Sequence, residues 1–126
     1  MAKPIIAVDF DGTLCENQYP DIGRPNRAVL RYIKNKRKNG CKIILWTCRK
    51  GELLDNAVNW CKDQELEFDA VNENLPEIVE EFGSDTRKIF ANMYIDDRAY
   101  GKYLCAPLVE CAKKEKMLPS SMKGEN

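Results

Sequence analysis

Ten residues constrain this chain more than any others: Ile5-Ile6-Ala7-Val8-Asp9-Phe10-Asp11-Gly12-Thr13-Leu14. They follow Pro4, a residue that can open a strand but cannot sit inside one. Ile5 to Val8 are apolar at every position rather than at alternate ones, which suits a central parallel strand covered on both faces. The run ends in two carboxylates spaced i, i+2, and a Gly-Thr turn comes directly after them. Ligands of open parallel sheets bind beyond the carboxyl ends of the strands, and Asp9 falls at such an end. Gly12 lets backbone approach a ligand closely, and Thr13 offers a hydroxyl that can cap the next segment. An isolated Asp-x-Asp reads as two solvated turn acids. Placed directly after a buried strand, two crowded acids are costly without a cation, so the pattern points to Mg²⁺ and phosphoryl chemistry.

The rest of the chain alternates. Residues 15–25 are polar and punctuated by Pro20, Gly23 and Pro25, which predicts a short excursion over the active-site end of the sheet. Asn26 is placed to cap a helix running to about Asn39, with Val29, Leu30 and Ile33 inward and Gly40 as the stop. Lys42 to Thr47 predicts a second strand. Leu54, Ala57, Val58 and Cys61 then make an apolar stripe at helical spacing. Phe68 to Val71 predicts a short strand, and Pro76 to Phe82 a short helix with Pro in its first turn. Ile89 to Asp97 predicts the last strand, and Leu108 to Lys116 a helix. Strand-helix alternation of this kind predicts an α/β fold: a doubly wound, Rossmann-like parallel sheet with helices on both faces. With 126 residues, one domain is expected over residues 1–118, with a frayed tail at 119–126.

Lys+Arg and Asp+Glu both count 20, so net charge gives no push toward nucleic acid or a membrane surface. The basic face Arg31, Lys34, Lys36, Arg37 and Lys38 reads as a solvated helix surface. No apolar run approaches the roughly 20 residues that span a bilayer, and the N-terminus lacks a signal-peptide layout. A soluble cytoplasmic protein is expected. The chain has no histidine, which excludes Ser-His and Cys-His nucleophilic machinery and His-ligated zinc. Its six cysteines include no Cys-x-x-Cys pair and read as free thiols. Cys15 and Cys48 each sit just past a suspected site residue, so they are the two with scope for reactivity.

The strong strands end in polar groups: Asp9, then Thr47, then Asp96-Asp97. Each alone is a common turn or cap. In one parallel sheet they share an edge and converge. Phosphoryl transfer needs a positioned nucleophile, a metal that neutralises charge, and donors to the equatorial oxygens. Asp9, the backbone carbonyl of Asp11, and Asp96 or Asp97 suit an octahedral oxygen site for Mg²⁺. Thr47 is a donor to phosphate. Lys88, ahead of Lys50 and Lys102, is the lysine expected to offset the remaining charge.

The sequence Asp9-Phe10-Asp11-Gly12-Thr13-Leu14, then Thr47, a lysine and Asp96-Asp97, resembles the haloacid dehalogenase-like superfamily of phosphatases over residues 4 to about 100. The resemblance implies that Asp9 is a nucleophile forming an aspartyl phosphate. It implies that Asp11 is the general acid/base that protonates the leaving group and then activates water. The second acid marks the phosphatase branch and argues against dehalogenase chemistry. Of the final pair, Asp96 is nearer the strand and favoured for metal, with Asp97 the alternative. No insert is long enough for the cap domain that many members carry. The resulting open site suits a small phosphorylated substrate, a larger one, or a lid lent by another copy of the chain in a homo-oligomer. Tyr19 and Arg24 in the 15–25 segment, and Arg49 and Arg98 beside the motifs, are candidate substrate contacts. The stretches around Trp46 and Tyr94 are similar to deoxyribonucleotidase-like members, so a nucleotide phosphate is one expected substrate. Two other classes compete: a receiver-like phospho-accepting module, and a binding domain without catalysis. A receiver wants an acceptor Asp after the third strand, where this chain has Val71-Asn72-Glu73.

Overall fold

The computed structural model describes residues 3–97. Its elements, in order, are β1 (Ile5–Val8), β2 (Cys15–Gln18), β3 (Asp21–Pro25), α1 (Arg27–Lys38), β4 (Lys42–Leu45), α2 (Gly51–Asp63), β5 (Ala70–Val71), α3 (Pro76–Phe82) and β6 (Met93–Ile95). Four strands form one parallel sheet in the order β5-β4-β1-β6. β1 is central, with Val8 level with Leu45 of β4 on one side and Ile95 of β6 on the other. All four of its residues are buried, as an uninterrupted apolar run requires.

Alternation along the strands sorts the core into two layers. Ile6, Val8, Ile43 and Leu45 pack with Val29, Leu30 and Ile33 of α1 and Ala57 and Cys61 of α2. Ile5, Ala7 and Ile44 pack with Leu75, Ile78 of α3, Ile89 and Ala91. The sheet is therefore flanked by helices, a mixed α/β architecture compatible with a Rossmann-like arrangement. No described helix is long and apolar enough to cross a membrane.

Several elements differ in detail from expectation. The short excursion expected over residues 15–25 takes the form of an antiparallel hairpin, β2–β3, separate from the main sheet. Three of the four β2 residues are exposed, so no apolar alternation announced it. Gly23 faces the Glu16 carbonyl so closely that a side chain there would collide with it. Asn26 occupies the N-cap of α1, but its side chain makes no capping bond. β4 stops at Leu45, two residues short of Thr47, and β5 covers only Ala70–Val71 of the expected 68–71. β6 is confined to Met93–Ile95 because local bonds consume the preceding backbone. The Tyr94 hydroxyl donates to the Ile89 carbonyl at 2.6 Å and accepts from the Ala91 N–H at 3.2 Å. The helix expected at 108–116 and the tail at 119–126 lie outside the described residues.

Candidate active site at the carboxyl edge of the sheet

From β1 the chain moves outward through β4 to β5, then returns to the other side of β1 for β6. Between β1 and β6 the strand order reverses, and such a switch point opens a crevice beyond the strand ends. Asp9 occupies the β1 side of that crevice, and Asp96 and Asp97 the β6 side. The Asp9 N–H donates to the Ile95 carbonyl at 2.9 Å, which sets the two strand ends level. Asp9, Asp96 and Asp97 each offer a carboxylate oxygen, and the three lie within 4.8 Å of one another. All three residues are half-buried.

That crowding has an electrostatic consequence. Burial, assisted by the Asp96 and Asp97 charges, pushes Asp9 up from its ordinary 3.8 to about 7, although the Phe10 N–H bond pulls the other way. The Phe10 N–H donates to Asp9 Oδ1 at 2.7 Å, and the Asp9 carboxyl also shares a hydrogen bond with the Asp96 side chain. Three oxygens of this kind suit a hard divalent cation. Asp97 also packs against Gly12, whose φ is +84° and whose missing side chain makes room for the Asp97 carboxylate.

Asp11 stands apart from this trio. Both of its oxygens face Arg49: Nε donates to Oδ2 and Nη2 to Oδ1, each at 2.8 Å. Arg49 is only 2% exposed. Nη1 donates to the Pro20 and Leu53 carbonyls, and Nη2 also to the Asp21 carbonyl. Its guanidinium carbon lies 5.0 Å from the Phe10 ring centroid and 5.1 Å from that of Tyr19. Asp11 raises the Arg49 pKa further, against the cost of burial. Arg49 therefore corrects an expectation. It is not placed as a substrate contact, because every nitrogen of its guanidinium is bonded within the protein. An arginine beside a motif is visible in a sequence; the direction its side chain turns is not.

Thr47 is half-buried at the end of the β4 segment. The Asn72 side-chain carbonyl accepts its N–H at 2.8 Å, and its Oγ1 accepts the Arg49 N–H at 3.2 Å. With Oγ1 already accepting, the hydroxyl proton is available to a ligand. Asn72 holds a left-handed backbone (φ 55°), a conformation Asn tolerates better than most residues. Lys88 is exposed, with its ammonium 5.9 Å from the Tyr94 ring centroid. Its loop hangs on Asn74, a buried residue that sequence reasoning passed over. Asn74 Nδ2 donates to Asp85 Oδ1 at 2.8 Å, and Asn74 Oδ1 accepts the Phe90 N–H at 2.7 Å.

Tyr19 is 57% exposed at the hairpin turn, and Arg24 pairs with Glu16 at 3.0 Å on the hairpin surface. A groove of about 890 Å³ runs between the hairpin and the start of α1, with Gly12, Glu16, Arg24 and Arg27 on its walls. Thr13, expected to cap, has a buried hydroxyl with no partner among the described residues. Cys15 is buried and burial raises its thiol pKa, whereas Cys48 is exposed. Arg98 and Lys102 lie outside the described residues.

No protein-family model and no curated protein matches the chain. Among solved structures, a conserved protein coded by a locus of Bacteroides thetaiotaomicron is 38% identical over 92% of this chain and 94% of that one, with a TM-score of 0.72. At that identity and coverage, the chain belongs to the same family as the conserved Bacteroides protein.

Proposed function

We propose that this chain is a Mg²⁺-dependent phosphomonoester hydrolase of the haloacid dehalogenase-like kind, a doubly wound domain without a cap that works through an aspartyl phosphate on Asp9. The observation that carries the reading is the convergence of Asp9, Asp96 and Asp97 at the switch point between β1 and β6, with their oxygens within 4.8 Å. Asp9, Asp96 and Asp97 would hold the cation, with the Asp11 backbone carbonyl a further donor. When bound, Mg²⁺ lowers the proton affinity of Asp9 and neutralises phosphoryl charge.

Asp9 is the nucleophile. A carboxylate oxygen of Asp9, oriented by the Phe10 N–H bond to Oδ1, attacks phosphorus as the bond to the ester oxygen breaks. The resemblance implies that Asp11 gives a proton to that oxygen and then takes one from the water that hydrolyses the aspartyl phosphate; the first transfer requires Asp11 to leave the Arg49 fork, which here holds both its oxygens as a carboxylate. The Thr47 hydroxyl donates to a phosphoryl oxygen. Lys88, at the rim, is the cation for the remaining charge, and Tyr19, Arg24 and Arg98 are candidates for contacting the alcohol portion. The substrate is a phosphorylated small molecule, a nucleotide among them, or a larger phosphate ester suited to an open site. The receiver-like alternative loses ground because the residue after β5 is Asn72, whose side chain is spent on the Thr47 N–H.

The test is a panel of phosphate monoesters with and without Mg²⁺, with Asp9→Asn as control. Mg²⁺-dependent hydrolysis abolished by Asp9→Asn is the expected result. Wild-type protein that hydrolyses no ester in Mg²⁺ overturns the reading.

A further inference from the structure

We propose that the groove between the β2–β3 hairpin and α1 takes the alcohol portion of a phosphate ester that carries a second anionic group, a carboxylate or a further phosphate, and that Arg27 meets that anion. The inference rests on the phosphomonoesterase reading and narrows its substrate class.

The groove and the acids share a residue. Gly12 lines the groove, and the Asp97 carboxylate lies where a Gly12 side chain would stand. An Asp97 oxygen is in turn within 4.8 Å of an Asp9 oxygen. Gly12 also follows Asp9 by three residues, a stretch of chain that spans at most about 11 Å. A substrate whose phosphorus stands at Asp9 therefore has a wall of the groove within the reach of a few bonds.

Backbone bonds hold the groove in shape. The Gly12 N–H donates to the Cys15 carbonyl and the Asn26 N–H to the Leu14 carbonyl, each at 2.9 Å. They tie the loop after β1 to the start of β2 and to the start of α1, the two sides of the groove. Its volume of about 890 Å³ falls in the range of small-molecule pockets, roughly 300–1,000 Å³, and exceeds what a phosphoryl group alone fills.

Its charge then selects the occupant. The charged side chains on its walls are Glu16, Arg24 and Arg27. Arg24 is engaged already: Nε donates to Glu16 Oε1 at 3.3 Å, and Nη2 lies 3.0 Å from Oε2. Those two charges offset each other. Arg27 is exposed and has no ion pair among the described residues. The first turn of α1 contains no acid that would repel an anion. The groove thus keeps one unmatched positive charge, on a side chain whose paired N–H donors fit carboxylate and phosphate alike. An ester with an uncharged alcohol portion leaves it unmet.

The experiment measures kcat/KM in Mg²⁺ for three series of primary alkyl phosphates, about two to six carbons long: plain, ending in a carboxylate, and ending in a second phosphate. Wild type should favour one charged series over plain esters of equal length by about tenfold, mainly through KM, the scale of hydrogen bonds to a charged group. For the bisphosphates this is counted after the twofold owed to their two scissile ends. The series with the larger preference identifies the anion. Arg27→Gln should lower the charged-to-plain ratio by about tenfold, and Arg27→Glu should invert it. Glu16→Gln releases Arg24 and should raise it. Both positions are exposed, so these variants keep the fold. Wild type that hydrolyses all three series equally, or a ratio that Arg27→Gln leaves unchanged, overturns the groove assignment and leaves the hydrolase standing. Wild type that hydrolyses none of the three, nor any ester of the wider panel, overturns the hydrolase and this inference with it.

Discussion

Gly12 and Asp97 share one small volume: a β-carbon built on Gly12 would collide with the Asp97 carboxylate. The loop after β1 and the loop after β6 therefore close on each other only because residue 12 has no side chain. Its φ of +84° adds a second reason, since an L side chain is strained there. Gly12→Ala should cost about 1–3 kcal/mol of stability, and should weaken Mg²⁺ binding at least about tenfold by displacing Asp97. Thermal melts and calorimetric titration with Mg²⁺ check the two effects separately. A variant that binds Mg²⁺ like wild type removes Asp97 from the cation site.

Asp9 makes stability depend on pH. Its folded pKa of about 7 lies above its ordinary value of 3.8, so between these limits the folded protein keeps a proton that the unfolded chain has released. Stability of the cation-free protein therefore falls as pH rises through that window and levels off above it. Asp9→Asn removes the linkage. In EDTA, the stability of Asp9→Asn minus that of wild type should grow from pH 4 to pH 7 and then stay constant. Urea unfolding of both proteins across pH 4–9 measures it. Mg²⁺ should stabilise wild type more at pH 8 than at pH 5, and Asp9→Asn far less at either.

Asn74 is the clearest purely structural hub near the site. It is 3% exposed and bonds Asp85, Thr86 and the Phe90 N–H. Asn74→Ala leaves the part-buried Phe90 N–H without that acceptor, removes the bonds to Asp85 and Thr86, and frees the loop that carries Lys88. The expected cost is about 2–3 kcal/mol. Asn74→Asp keeps the acceptor for Phe90 but sets a carboxylate against Asp85. It should be the worse of the two at neutral pH and should recover stability as pH falls. Parallel melts at pH 5 and pH 8 distinguish them.

The part of this site that was legible in the sequence is the part written in strand ends. Ile5–Val8 are apolar at every position, so their burial and the location of Asp9 could be read from one stretch of sequence. The order of alternation then put Asp96 and Asp97 on the same edge, and the structure brings their side chains beside Asp9. What could not be read was held by long-range polar bonds. The hairpin has an exposed β2, and its turn is fixed by Arg49, about 30 residues away in sequence. Arg49 itself looked like any charged residue beside a motif. β6 is short because the Tyr94 hydroxyl claims the Ile89 and Ala91 backbone, a competition that periodicity does not register.

Thiol labelling tests the placement of Thr47 through its neighbour. Cys48 is exposed and directly adjoins Thr47, whereas Cys15 and Cys61 are buried. Burial also pushes the Cys61 thiol up to about 12 and raises that of Cys15, so both are poor nucleophiles near neutral pH. In the native protein, iodoacetamide should modify Cys48 well before Cys15 or Cys61, by at least about tenfold in rate, as read by peptide mass mapping. If Thr47 donates to a phosphoryl oxygen, a bound phosphate sits against this turn. Inorganic phosphate with Mg²⁺ should then slow Cys48 labelling by about threefold or more, and Asp9→Asn should abolish the protection. Protection that persists in Asp9→Asn would place the phosphate away from the acids, and equal labelling of all three thiols would contradict the packing of β2 and α2.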